Sequence, residues 1–349
     1  MNICFFGSYD PNYSRNSILI NGLNQNNVKV FQCRSTYGSV FLRYPDLIRK
    51  YWKIRNEINV IYVAFVGQLN MPLAWILARL TGKKLVFDMF YSMYDTYVYD
   101  RQSAKPNSIQ AKLYFSIDKM ATILADEVIT DTKSSGNYYK KLFNINPNKL
   151  HHVYVGAEEI FIKRKHKDKK KLIVEFHGMF TRLTGAKYFI EAAKILENNK
   201  KLEFWLIGDS QIYKKPLQLL IKLKPKNLIY FPKMPVRELA KHVSQADVSI
   251  SHLGTSKKAR IVITNKTFHS LACGIAVIVI NSSGNRELLE DKKNVVMVRS
   301  GNTKDLVEQI LILLHNPKLR QNIADNGYRM FQKFLTNKQI AKDLLIKIS

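Results

Sequence analysis

No apolar run in this 349-residue chain approaches the roughly 18 to 20 residues that a membrane-spanning helix needs. The N-terminus opens directly into the strand-like Asn2-Ile3-Cys4-Phe5-Phe6, so no signal peptide is expected. Cysteine is scarce: Cys4, Cys33 and Cys273 lie far apart and show no metal-ligand spacing, which argues against a zinc site and a disulfide framework and predicts free thiols in a reducing, cytosolic compartment. Acidic residues are few, 27 Asp plus Glu against 55 Lys plus Arg, for a formal net charge of +28. Such an excess attracts polyanions, whether nucleic acid, an anionic lipid surface or a phosphorylated substrate. A Lys-, Asn- and Ile-rich composition produces the same excess, so charge alone selects no function. The chain also lacks a zinc finger, an RNP-type strand, a recognisable recognition helix and any short-period repeat.

Hydrophobic residues at 46% and charged residues at 23% are enough to build buried cores. The length suits two domains of roughly 150 to 190 residues each. Short β-branched or aromatic runs at 2–6, 28–32, 58–64, 84–88, 127–130 and 151–155 read as buried parallel strands, with helices near 15–25, 45–56, 70–81, 109–125 and 134–143. The rhythm repeats at 172–177, 202–207, 227–231, 247–251, 275–280 and 294–298, and the last fifty residues read as helical. This pattern predicts an α/β chain of two doubly wound, Rossmann-like domains facing a central cleft. The expected boundaries are 1–160, a basic linker at 161–171, 172–335, and a C-terminal helix at 336–349.

The stretch 255–274 carries the most chemical information. Thr264 suits an N-cap and Gly274 a C′ position, giving a short helix with Lys266 in its first turn and Lys257, Lys258 and Arg260 just ahead. Cations crowded at the positive end of a helix dipole call for an anion, and a diphosphate would use both the free N–H groups and the side chains. Gly7 and Gly178 end strands where open α/β sheets bind ligands. Glu287, after Ser282-Ser283-Gly284, is expected at a helix start, where the dipole favours a carboxylate.

The segment Asn265-Lys266-Thr267-Phe268-His269-Ser270-Leu271-Ala272-Cys273-Gly274-Ile275-Ala276-Val277-Ile278, followed by Gly284-Asn285-Arg286-Glu287, resembles the donor-site region of the family 4 retaining glycosyltransferases of GT-B fold, the glycosyl transferases group 1. Phe176-His177-Gly178-Met179-Phe180, Ile207-Gly208 and Ala246-Asp247-Val248 extend the likeness across the C-terminal half. Gly7-Ser8-Tyr9-Asp10-Pro11, Phe87-Asp88, Tyr94-Asp95-Thr96, Asp100-Arg101 and Thr130-Asp131-Thr132 carry it into the first half. The resemblance implies an enzyme that moves a sugar from a nucleotide-diphosphate donor in the C-terminal domain to an acceptor approaching the N-terminal domain, with no cofactor or metal required.

On that reading Lys258, Arg260 and Lys266 stabilise the leaving diphosphate, and Gly7, Gly178, Arg182, Gly208, Asn265, His269 and Glu287 bind the donor. Asp88 contacts donor hydroxyls or orients the acceptor, unless it only caps a loop. Asp95, Asp100 and Arg101 lie on the acceptor side, or form a structural ion-pair network with Asp131. Two glutamates that many family members carry eight residues apart fall here on Ile261 and His269, and the family's usual Arg and Lys fall on Met179 and Thr184. A ring nitrogen of His269 could serve a ribose hydroxyl. The missing glutamates keep open a non-catalytic nucleotide-binding homologue, and the charge keeps open a basic nucleic-acid-binding protein.

Residues 41–55 combine Leu47, Ile48, Tyr51 and Trp52 with Arg49, Lys50, Lys53 and Arg55. That composition suits an ordinary βαβ helix whose basic face, through Arg49, Lys50 and Lys53, also meets anionic lipid. The expectation is a cytoplasmic protein attached peripherally to the inner face of the membrane and acting on a glycan or lipid-linked acceptor, as in cell-surface polysaccharide biosynthesis.

Overall fold

Strands that are apolar at nearly every position need cover on both faces, which only helices in crossover connections supply. The computed structural model, which describes residues 1–164, 170–209 and 213–349, meets that demand twice. The chain divides into two compact units, Met1–Gly156 with Thr336–Ser349, and Ala157–Leu335. Residues 165–169 of the expected basic linker lie outside the described residues.

In the first unit β1 (Ile3–Gly7), α1 (Ser14–Gln25), β2 (Val30–Arg34), α2 (Val40–Ile54), β3 (Val60–Val63), α3 (Met71–Thr81), β4 (Lys84–Asp88), α4 (Ile109–Leu124), β5 (Glu127–Thr130), α5 (Lys133–Phe143) and β6 (Leu150–His152) alternate. The sheet is parallel, in the order β2-β1-β3-β4-β5-β6. Cys4, Phe6, Ile61, Val63, Leu85 and Phe87 share one core with residues of α2 to α5 such as Leu47, Leu77, Ala121 and Tyr139. Helix α2 starts five residues ahead of the expected 45 and carries Pro45 inside it.

The second unit runs β7 (Leu172–His177), α6 (Ala186–Ile195), β8 (Leu202–Ile207), α7 (Lys215–Leu223), β9 (Leu228–Phe231), α8 (Val236–Val243), β10 (Val248–Ile250), α9 (Lys257–Ile261), α10 (Asn265–Ala272), β11 (Ala276–Ile280), α11 (Ser283–Arg286), β12 (Val296–Val298), α12 (Thr303–His315) and α13 (Pro317–Phe334). Its parallel sheet has the order β12-β11-β10-β7-β8-β9. The chain therefore winds outward from β7 on one side, then returns to wind outward on the other from β10. That reversal marks a switch point at whose carboxyl edge open α/β sheets bind ligands.

The last helix, α14 (Asn337–Ile348), belongs to the first unit and packs on α1. The contact is backbone-close, because a Cβ on Gly22 would lie 2.0 Å from the Asn337 carbonyl oxygen. Residues 157–160, expected with the first domain, pack in the second unit, where Glu158 meets α10.

Candidate functional site

Two glycines at the carboxyl edge of the second sheet hold backbone conformations that side chains resist. Gly178, after β7, has φ of 106°, and Gly208, after β8, has φ of 141°. A Cβ on Gly208 would lie 2.1 Å from the Gly178 carbonyl oxygen, so the two turns touch through backbone. Gly178 N–H donates to Ile207 O at 2.9 Å and Phe180 N–H to Asp209 O at 2.8 Å, which fixes the pair. With the segment after β9 they wall a cavity of about 450 Å³, lined by Met179, Ile207, Met234 and Val236 and edged by Lys233 and Asp209. Apolar walls with a few polar groups at the edge are the usual make-up of a small-molecule site.

Beneath Gly178 sits Lys266. Thr264 adopts the extended conformation of an N-cap and Gly274 has φ of 65°, as expected for the ends of α10. The Thr264 side chain does not cap the helix; its hydroxyl lies 3.0 Å from the Ser251 hydroxyl, just beyond β10. Lys266 turns inward, only 6% exposed, with no hydrogen-bond partner for Nζ among the described residues. Its ammonium lies 3.8 Å from the Phe176 ring centroid, a cation–π contact. A Cβ on Gly178 would touch its Cε at 3.6 Å and Nζ at 3.7 Å, so the cover over the amine is one backbone thick. Burial pushes the amine down to about 7 from its ordinary value, an effect the Glu175 carboxylate only partly offsets.

The polar face of β7 continues into a buried ladder. Glu175 and His177, two residues apart on one strand, point to the same side. Glu175 faces His177 Nδ1 at 3.0 Å, His177 Nε2 faces His269 Nδ1 at 3.1 Å, and His269 Nε2 faces Glu158 at 3.0 Å. Ser249 donates to Glu175, and Ser270 lies 2.6 Å from Ser249. Phe161 stacks on the His269 ring at 3.9 Å with a 5° tilt. His177 is held below its usual range, chiefly by burial and against the pull of Glu175.

His269 was expected to offer a ring nitrogen to a ribose, but both its nitrogens are engaged within the unit. Its partners Glu158 and Phe161 carry no sequence signal, since one lies just before the expected linker and the other at its first position. Glu175 and His177 did carry one: two polar residues at i and i+2 in an otherwise apolar strand.

The remaining candidates disperse. Lys258 and Arg260 sit on the separate five-residue α9, whose Ser256 cap and the His252 contact to Ala259 O at 2.8 Å tie it to the end of β10. Arg260 is exposed, as is Arg182, whose guanidinium lies 6.0 Å from the Tyr213 ring centroid. Asn265 opens α10. Glu287 does not begin a helix: it follows the one-turn α11, at the negative end of its dipole, and lines a different cavity of about 330 Å³ beside α13.

In the first unit Asp88 is no free carboxylate. Both its oxygens accept from Arg15 at 3.0 Å, and both side chains are fully buried, so the pair is structural rather than presented to substrate. Arg15, which sequence reasoning passed over, also donates to Val153 O at 2.7 Å. Gly7 has φ of 129° and lies against Asn70. Asp95 and Asp100 fall in a π-helical segment, Asp95–Asp100, and both are buried. Tyr138 Oη donates to Asp95 at 3.4 Å, and Arg101 lies 5.3 Å from the Tyr97 ring centroid. Among the described residues no three His, Cys, Asp or Glu side chains gather as a metal site would require, and no helix is long and apolar enough to cross a membrane.

Residues 157–330 match the family model described as Glycosyl transferases group 1. A Campylobacter jejuni protein, the N,N'-diacetylbacillosaminyl-diphospho-undecaprenol alpha-1,3-N-acetylgalactosaminyltransferase, is 27% identical over 193 residues, 54% of this chain but only 47% of its own length. An uncharacterized glycosyltransferase of Methanocaldococcus jannaschii is 22% identical over 342 residues, covering 92% of this chain and 84% of its own. Among solved structures, Anabaena HepE in complex with UDP superposes with a TM-score of 0.74 at 15% identity, covering 100% of this chain and 99% of that one. Sucrose-phosphate synthase from Thermosynechococcus elongatus gives 0.72 at 14%, covering 99% and 98%. Both likenesses are of fold, two parallel six-stranded α/β sheets of GT-B type.

Proposed function

The chain belongs to the glycosyl transferases group 1 and is a glycosyltransferase, and on that footing we propose that it moves a sugar from a nucleotide-diphosphate donor held by its second unit to a glycan or lipid-linked acceptor, with retention of anomeric configuration. One observation carries the donor site: an unpartnered, buried Lys266 amine lies under Gly178, which also walls the 450 Å³ cavity. The base and ribose fill the cavity between Met179, Ile207 and Val236, and the diphosphate crosses Gly178 toward Lys266 and the first-turn N–H groups of α10. HepE has been solved with UDP and with UDP-glucose, which favours a uridine donor.

Transfer then needs little beyond placement and charge. As the bond from the anomeric carbon to the diphosphate breaks, negative charge grows on the leaving oxygens. A cation already stripped of water stabilises that charge more than it would in solution. Lys258 and Arg260, on α9, extend the positive field from the exposed side. The Campylobacter relative is named for a diphospho-undecaprenol substrate, which supports a lipid-linked acceptor and a place in cell-surface polysaccharide assembly.

The test is a thermal-shift and hydrolysis panel with UDP, GDP and their sugars. A donor at 1 mM that binds a hundredfold below that concentration stabilises the folded state by about 2.7 kcal/mol. Turnover to free nucleotide separates an enzyme from a nucleotide-binding homologue. If no nucleotide-sugar shifts the melting temperature or is turned over with any acceptor extract, the donor site is elsewhere or absent.

A further inference from the structure

Helix α2 has two apolar stripes where a helix packed on one sheet needs only one. Leu47 and Tyr51 point into the core of the first unit, while Phe41, Ile48 and Trp52 point to solvent, Phe41 at 90% exposure. The four apolar residues expected to act together therefore divide between the two sides. Neighbouring α3 repeats the division, with Leu73 and Leu77 inward and Ile76 and Leu80 outward, Leu80 at 71% exposure. Tyr51 Oη of α2 meets Thr81 Oγ1 at the end of α3 at 2.5 Å, and Tyr44 Oη donates to Leu69 O in the turn that leads into α3 at 2.8 Å.

Cations border the exposed stripe. An open depression of about 660 Å³ is lined by Ile48, Trp52, Arg49, Lys53 and Arg55, and the Arg55 guanidinium lies 4.9 Å from the Trp52 ring centroid. Lys50, expected to share this face, is withdrawn from it: its Nζ donates to Asp46 at 2.8 Å and to Arg34 O at 2.7 Å.

We propose that the outward face of α2 and α3 docks on an anionic lipid surface, with Phe41, Ile48, Trp52 and Leu80 entering the headgroup boundary and Arg49, Lys53 and Arg55 meeting lipid phosphates. Charge decides the occupant. A second copy of this chain would bring the same cations and a net +28 against them, whereas an anionic bilayer complements both the charge and the aromatic stripe. The surface goes beyond the transfer reaction, and its occupancy does not depend on which donor is used.

Co-sedimentation of the full chain with vesicles of phosphatidylglycerol and phosphatidylcholine, against phosphatidylcholine alone, tests this at two salt concentrations. Wild type should bind the anionic vesicles, release at high salt, and shift its tryptophan emission to the blue. The double variant Arg49→Gln/Lys53→Gln should bind about thirtyfold more weakly, each lost cation contributing about 1 kcal/mol. Trp52→Ser/Leu80→Gln should lose the emission shift, and Lys50→Gln should bind as wild type does. Circular dichroism and melting temperatures confirm that each variant is folded. Equal binding to both vesicle types, or no loss in the folded Arg49→Gln/Lys53→Gln protein, overturns the proposal. A concentration-dependent dimer that Trp52→Ser/Leu80→Gln abolishes also overturns it, because the face would then be a contact between copies.

Discussion

Replacing Lys266 by methionine should make the protein more stable and stop it from binding donor. The thioether fills nearly the same volume and keeps contact with Phe176, but carries no charge to be stripped of water. Burial holds the amine down at about 7, against 10.5 in the open chain. At pH 7 the unfolded chain is therefore protonated while the folded one is about half so, which costs the folded state about 4 kcal/mol. Losing the cation–π contact takes back about 1 to 2 kcal/mol, leaving a net gain of roughly 2 to 3 kcal/mol for Lys266→Met. For a domain of 150–250 residues that is a rise of about 4 to 12 °C in melting temperature.

The sign with pH is fixed. A lysine whose folded value is depressed binds fewer protons folded than unfolded, so its penalty is full below about 7 and fades as pH rises toward 10.5. The stability gap between variant and wild type should therefore narrow by about 1.4 kcal/mol per pH unit above 7. Denaturant melts at pH 7, 8 and 9 read the gap, and thermal shifts with UDP read the loss of binding. A variant less stable than wild type at pH 7, or a gap that stays constant to pH 9, would refute the argument that Lys266 is a charge held against its burial.

Gly208→Ala should lower the melting temperature sharply and remove any nucleotide-induced shift, since its methyl group would meet the Gly178 carbonyl at 2.1 Å, whereas Gly82→Ala, with φ of 64° and nothing within 4 Å, should cost only about 1 to 2 kcal/mol; equal melts for the two would show that the paired turns can yield. Asp88→Asn should cost about 3 to 5 kcal/mol by leaving the Arg15 guanidinium buried without its counter-charge, and Arg15→Met/Asp88→Leu should recover most of it; lost turnover at unchanged stability in Asp88→Asn would return that carboxylate to the chemistry.

The fold was legible because its signals are local. Runs such as Leu172–His177 and Leu202–Ile207 contain too few polar residues for a half-exposed strand, and the turns at Gly178 and Gly208 follow them directly. Lys266 was legible for the same reason, as a cation in the first turn of a capped helix. Its burial was not, because a helix that begins at a sheet edge can turn its second residue to solvent or to the interior, and packing under Gly178 decides between them. Asp88 and His269 were read as presented groups because their partners, Arg15 and Glu158, lie 73 and 111 residues away in sequence. The dipole argument for Glu287 failed on register: the short helix starts four residues earlier than the reasoning required, which reverses its sign.

The ladder from Glu175 to Glu158 also works as a fastener. Its three side-chain links join β7 to α10 and α10 to the segment ahead of β7, with Phe161 laid flat on the His269 ring. Helix α10, which carries both His269 and Lys266, is thereby clamped from two sides, three residues along the same helix from the amine beneath Gly178.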